Sequence, residues 1–266
     1  MSDTILLSVD DGLARLTLNR PAALNAMNTE MGTRWRDLAA RVSEDPAVGV
    51  VLIDAAGGAF CAGGDVVEMA TSGATGTDVT RAAGVIHEGI LRFTRGNKPV
   101  VAAVQGAVAG GGLGLMLTAD HIVASDTARF VSRYAAIGLT PDLGVSTLLP
   151  RAVGERRALH LLLTDTTLDA ATALDWGLVS EVVPAAEVAT RAEQVARFWL
   201  ANATAAFGHA RRLVRAGADR EFAANLADEA ATIGGSFDTP QARGRIAAFA
   251  AGSSRRPARP DEGESR

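Results

Sequence analysis

Twice in this chain a short β-branched run ends in a glycine-rich corner that leads into a helix-like segment. The first run, Val48 to Ile53, is followed by a loop from Ala55 to Gly64 that contains most of "AFCAGGDV", Ala59 to Val66. The second, Pro99 to Val104, is followed by "AGGGLG" at Ala109 to Gly114. Both runs are apolar throughout, the pattern of strands covered on two faces. Strand and helix in alternation demand crossover connections, and these give an α/β fold with a largely parallel sheet.

The rest of the chain is consistent with that frame. Ile5 to Val9 and Leu13 to Leu18 flank Asp10-Asp11-Gly12, the turn chemistry of a β-hairpin. Asn28 is placed to cap a helix whose Met31, Trp35, Leu38, Ala39 and Val42 recur at helical spacing. An amphipathic helix is expected over Val79 to Thr94, another from the triple glycine to about Ala119, and short strands at His121 to Ala124 and near Phe130. Beyond Glu155 helices dominate, interrupted by a strand at Leu178 to Val183. The expected organisation is a core over 1–200, a helical region over 201–250 and a disordered tail over 251–266.

Composition narrows the function classes. With 48% hydrophobic and 21% charged residues and no uncharged apolar run near the ~20 residues of a bilayer helix, membrane insertion is not expected. Cys61 is the single cysteine, so no intrachain disulfide can form, and Met1 to Thr4 carries no basic leader. A cytoplasmic location is the expectation. A formal net charge of −4, with Lys98 the one lysine, offers no basic footprint for nucleic acid. His121, His160 and His209 stand apart from one another, and no metal is expected.

A glycine corner between strand and helix presents unpaired backbone N–H groups and lets another molecule approach closely. Nucleotide readings fail on spacing. There is no G-x-x-x-x-G-K-[ST], and Leu115 stands where the last glycine of G-x-G-x-x-G would be. The serine-hydrolase elbow G-x-S-x-G is absent as well. Tight helix–sheet packing without a ligand is one reading of these glycines. Two corners converging on one oxygen as a pair of hydrogen-bond donors is the other.

In order along the chain, "NRPAALNAM", "AFCAGGDV", "KPVVAAVQGAVAGGGLGL", "IGLTPDLG", "LPRAVGERRALHLLLT" and "DAATALDWGLVSEVV" resemble the crotonase, or enoyl-CoA hydratase/isomerase, superfamily. The resemblance covers nearly all of Ile5 to Pro184. It implies a crotonase-like ββα spiral with a C-terminal helical region that drives trimer formation, as a homotrimer or a dimer of trimers. An acyl-CoA is then the substrate, and no separate cofactor is expected. The backbone amides of Gly64 and Gly111 would hold the thioester oxygen while an adjacent proton is lost.

The same resemblance assigns the remaining roles. Hydratases of the superfamily carry two glutamates at positions held here by Gly114 and Tyr134, which places ordinary hydration in doubt. Asp142 matches the proton-transfer aspartate of the superfamily's isomerases, including those resembling epoxyphenylacetyl-CoA isomerases. One carboxylate suffices to move a double bond. As a residue read alone, Asp142 could equally cap a helix. His87 is either a packed core histidine or a proton shuttle. Its position resembles the histidine of 4-chlorobenzoyl-CoA dehalogenases, where the residue at Asp142 is a nucleophile. Double-bond isomerisation leads, with hydration, dehalogenase-like or hydrolytic chemistry, and a non-catalytic RNA- or ligand-binding role as alternatives.

The thioester and its carrier are expected to contact Ala23, Leu24, Ala26, Ala62, Asp65, Val66, Val108, Gly110, Gly114 and Tyr134. Arg20 is a candidate for the CoA phosphates, because Ala23 stands where a basic residue is common. Asp65 is also expected to cap the next helix, Cys61 to be packed rather than reactive, and Glu68 to Gly84 to form a mobile wall of the acyl pocket.

Overall fold

The computed structural model describes residues 3–253. Strands β1 (Ile5–Asp10) and β2 (Leu13–Leu18) form the expected hairpin, turned by Asp11 and Gly12 at φ 44° and 81°. Two consecutive left-handed residues are what a tight hairpin turn of matching twist needs. β3 (Val50–Ala55), β4 (Val100–Val104), β6 (His121–Ser125) and β9 (Glu181–Val183) then add in parallel, giving a six-stranded sheet ordered β1-β2-β3-β4-β6-β9. Every residue of β4 is buried, because helices cover both faces. On one face Val50, Leu52, Val101 and Val123 meet Val188, Ala192 and Val195 of α8 (Val188–Ala201).

A second, smaller sheet was not legible in the sequence as more than a strand near Phe130. It comprises β5 (Ala107–Ala109), β7 (Arg129–Val131) and β8 (Leu168–Asp169), with Cys61 bridged to Val108 beside β5. The chain therefore winds three times through the same sequence of long strand, short strand, helix. The first turn runs β3, Cys61, α2 (Val66–Thr71), and the second β4, β5, α4 (Gly111–Leu117). The third runs β6, β7, a turn of 3₁₀ helix at Ala135–Ile137, and α5 (Val145–Val153). This is the ββα spiral that the resemblance implied.

Helix α1 (Thr29–Glu44) starts where Asn28 accepts the Met31 N–H, and it buries Met31, Trp35, Leu38, Ala39 and Val42 as its spacing predicts. It packs on α3 (Gly76–Arg95), with the Trp35 and Phe93 rings edge to face at 5.2 Å. Here the structure refines the sequence reading. Residues 68–84 are mostly helical, in α2 and the first turns of α3, joined by a short connection at 72–75. Asp65 caps α2, as expected, and Thr75 with Asp78 forms a reciprocal capping box that starts α3 three residues before Val79.

Further along lie α6 (Glu155–Thr164), α7 (Ala170–Asp175), α9 (Thr204–Gly217), α10 (Phe222–Phe237) and α11 (Pro240–Ser253). The chain divides into two compact units between Arg215 and Ala216, beyond the division expected at 200. Two arginines account for that. Arg211, 8% exposed, donates to the Asp120 carboxylate and to the carbonyls of Phe93 and Gly96, and Arg215 donates to Asp120 and the Ala119 carbonyl. Most of α9 is thus bound to the first unit. Within the second unit, α10 buries none of its residues and exposes Phe222, Ile233 and Phe237. The expected tail at 251–266 lies outside the described residues, except that α11 runs through its first three.

Candidate active site

Because the three ββα turns stack, their corners stack too. The first corner carries Gly63 and Gly64, the second Gly110 and Gly111, and the third Ser132, Arg133 and Tyr134. Cys61 and Ala109 bind the first two corners together, with Ala109 N–H donating to the Cys61 carbonyl at 3.0 Å and Cys61 N–H to that of Ala107 at 3.3 Å. Gly63, at φ 98°, lies so close that a Cβ on it would stand 2.9 Å from the Ala109 carbonyl oxygen and 3.4 Å from the Gly111 nitrogen. Gly112 is equally constrained, since a Cβ there would be 2.2 Å from the Cys61 carbonyl oxygen. The glycines are needed for this close approach of two corners, which brings Gly63 against Ala109 and Gly111.

Gly111 is the first residue of α4, so its N–H has no place in the helical ladder. Among the described residues, neither this N–H nor that of Gly64 donates to an acceptor of the protein. Both glycines line a cavity of about 890 Å³.

On the same cavity wall stand Asp142, Tyr134 and His87. Tyr134 Oη donates to Asp142 Oδ1 at 2.6 Å, and the phenol is 7% exposed. Burial first, and then the Asp142 carboxylate beside it, push the Tyr134 phenol well above its ordinary range, so it stays protonated and acts as a donor. Asp142 does not cap a helix with its side chain; Gly144 occupies the cap of α5, with no side-chain bond. A Cβ on Gly111 would stand 3.5 Å from Asp142 Oδ1, which locates the carboxylate beside the second corner.

His87 reaches the site from α3. The Leu143 N–H, which can only donate, gives its hydrogen bond to His87 Nε2 at 3.1 Å. That fixes the neutral ring with its proton on Nδ1 and leaves it no free lone pair. His87 thereby holds the residue next to Asp142.

Of the other sequence candidates, Ala23, Leu24, Ala26, Ala62, Asp65, Val66 and Gly110 line the cavity. Val108 and Gly114 do not. Val108 is wholly buried in the second sheet, and a Cβ on Gly114 would fall 2.2 Å from the Leu143 carbonyl oxygen. No side chain fits at Gly114 unless the segment carrying Asp142 moves. Asp65 has its carboxylate committed, with Oδ1 accepting the Glu68 N–H and Oδ2 paired with Arg20 at 2.9 Å. The cap and, against a smaller opposing effect of burial, the Arg20 guanidinium hold its carboxyl below the usual range. Arg20 also donates to the Ala26 carbonyl, so it is engaged on this side rather than free for a phosphate. Cys61 is fully buried and its thiol is pushed up to about 12 by desolvation, so it is packed and inert.

Met69, Val79 and Ala83, inside the wall expected over Glu68 to Gly84, also line this cavity, though none was singled out as a site residue. The Thr75-x-x-Asp78 capping box was the available signal that residues there are helical and present one face inward.

A family model described as "Enoyl-CoA hydratase/isomerase" matches residues 8–252. A "Probable enoyl-CoA hydratase" of Mycobacterium bovis is 39% identical over 194 residues, 73% of this chain and 74% of the relative. The 1,2-epoxyphenylacetyl-CoA isomerase of Escherichia coli is 35% identical over 216 residues, 78% of this chain and 80% of the relative. Among solved structures, an enoyl-CoA hydratase of Mycobacterium smegmatis superposes with a TM-score of 0.88 at 28% identity, covering 96% of this chain and 98% of that one. With the ββα spiral, the paired glycine corners and a family match over nearly the whole chain, this protein belongs to the enoyl-CoA hydratase/isomerase family.

Proposed function

We propose that this protein shifts a carbon–carbon double bond in an enoyl-CoA, from the 3,4 to the 2,3 position. The amides of Gly64 and Gly111 receive the thioester oxygen. Asp142, as carboxylate, takes a proton from C2, and the electron pair moves into a dienolate whose oxygen the two amides stabilise. The same carboxyl then returns the proton to C4, so atoms and charge balance without any further group. Donors fixed in place stabilise the developing oxyanion more than the neutral thioester, which is how they lower the barrier.

The observation that carries this reading is the single proton-handling carboxylate. Asp142 lines the cavity with Tyr134 as its donor, whereas Asp65, the other carboxylate on that wall, is occupied as a helix cap and ion pair. Hydration needs a second proton-handling group. The crowding at Gly114 leaves no room for one there, and the protonated Tyr134 phenol cannot serve as a base. Hydration remains the second reading because of the name carried by the Mycobacterium bovis relative. Chemistry with His87 as the water-activating base is disfavoured by the bond from the Leu143 N–H.

The direct comparison is turnover of 3-hexenoyl-CoA against crotonyl-CoA. Conversion of the first to the conjugated thioester, with negligible hydration of the second, supports the proposal. The reverse ranking overturns it. A homotrimer or dimer of trimers accompanies this reading, supported by the apolar side chains that α10 exposes.

A further inference from the structure

Unlike the first two corners, the third, at Ser132, Arg133 and Tyr134, contains no glycine. Its bend is made by Arg133 at φ 59°, in the left-handed region where a long side chain is uncommon. A second non-glycine residue in that region, Asp165 at φ 53°, ends α6. The two residues meet. The Arg133 N–H donates to Asp165 Oδ1 at 2.8 Å, and Arg133 Nη1 donates to Oδ2 at 2.7 Å. Both oxygens of the carboxylate are thus held by one residue, through its backbone and its side chain.

The small sheet brings them together. In the antiparallel pair of β7 and β8, Arg129 lies opposite Asp169 and Phe130 opposite Leu168. Each step forward from β7 is one step back from β8, so Arg133 falls opposite Asp165. Beyond the last backbone pair, a side chain continues the ladder. A carboxylate accepting a backbone N–H makes a bond about twice as strong as a neutral one. The ion pair to the guanidinium, which is 57% exposed, adds less.

What this tie controls is Tyr134, the next residue. Before it, the Val131 carbonyl accepts the Gly110 N–H at 3.1 Å, which joins the third corner to the second. After it, the Tyr134 carbonyl accepts the N–H groups of Ile137 and Leu139. Arg133 lies between these anchor points, and its φ sets the direction in which Tyr134 leaves the corner. Relaxation to an ordinary negative φ would turn the chain and carry the phenol away from Asp142. A backbone outlier of this kind persists only where its surroundings over-determine it. Resting on the reading of Asp142 as the proton carrier, we infer that Asp165 is a positioning residue for the reaction. By holding Arg133 in the left-handed conformation it aims the Tyr134 phenol at Asp142. Asp165 does not itself line the cavity, so it acts through the corner alone.

Asp165→Gly keeps the left-handed end of α6 at no steric cost and removes both bonds. Its kcat on 3-hexenoyl-CoA is expected to fall about tenfold, with KM little changed. Asp165→Asn tolerates the same φ and keeps an oxygen for the Arg133 N–H, so it recovers most of that loss. In the Tyr134→Phe background Asp165→Gly costs nothing further, because both changes act on one interaction. The inference is overturned by no loss in Asp165→Gly, by equal loss in the Gly and Asn variants, or by a loss that multiplies onto that of Tyr134→Phe. Phenolate absorbance reads the same tie without turnover. Released from its buried position, the phenol ionises nearer pH 10 in folded Asp165→Gly than in the wild type. If the wild type isomerises nothing, the proton-carrier reading falls and this titration decides alone whether Asp165 aims the phenol. An unchanged titration overturns the inference whatever the activity.

Discussion

Tyr134 Oη donates to Asp142 Oδ1 across 2.6 Å, and Tyr134 is the only tyrosine in the chain. Its ionisation can therefore be followed by phenolate absorbance with no background from another tyrosine. The folded value is raised above the ordinary 10.0, by burial first and the neighbouring carboxylate second. A phenol whose folded value is raised contributes stability that is fully present below about pH 10 and is lost as pH climbs from there towards the folded value. The native protein is expected to show no phenolate signal as pH passes through 10, whereas the urea-unfolded chain ionises there. Simultaneous ionisation of both would contradict the buried hydrogen bond.

The same bond sets an expectation for catalysis. Tyr134→Phe keeps the ring and removes the donor to the carboxylate. Hydrogen bonds to charged groups contribute about 1.5–3 kcal/mol, so kcat for isomerisation is expected to fall about 10- to 100-fold with KM little changed. An unaltered kcat, with the fold intact by circular dichroism, would show that Tyr134 does not position Asp142.

Gly114 has no room for a side chain. A Cβ there meets the Leu143 carbonyl oxygen at 2.2 Å, and Leu143 adjoins Asp142. Gly114→Ala is expected to cost about 1–3 kcal/mol of stability through overpacking. A shift of Asp142 by about 1 Å can cost on the order of 10²-fold in rate, so isomerisation falls as well. Gly114→Glu therefore gains no hydratase activity. Water addition to crotonyl-CoA by that variant, faster than by the wild type, would contradict this account.

His87 acts through Leu143. His87→Ala removes the acceptor for the Leu143 N–H but no proton-transfer group, and a fall within about tenfold is expected. Loss of a true general base costs about 10²–10⁴. A loss of that size, with Asp142→Asn still active, would move the chemistry to the histidine.

How much of this could be read in advance divides by the range of the forces involved. The hairpin at Asp11 and Gly12, the Asn28 cap and the apolar stripe of α1 are local, and each was legible. So were the glycine corners, since close backbone approach admits little else. The second sheet was not. β5 and β8 are three and two residues long, too short for a period, and they exist because successive turns of the spiral lie against one another. The Tyr134–Asp142 bond and the Leu143–His87 bond join residues brought together only by the third corner and α3. Nothing local marks Arg211 for burial; its partners, the Asp120 carboxylate and the Phe93 and Gly96 carbonyls at the end of α3, are far away in the chain.

Asp142 carries the central claim, and Asp142→Asn assayed on 3-hexenoyl-CoA tests it most directly. The amide matches the carboxylate in shape and still accepts from Tyr134, so binding and fold are retained while proton transfer is not. Isomerisation is expected to fall by about 10²–10⁴, with KM within a fewfold of the wild type. Turnover at the wild-type rate by the folded variant would contradict the account.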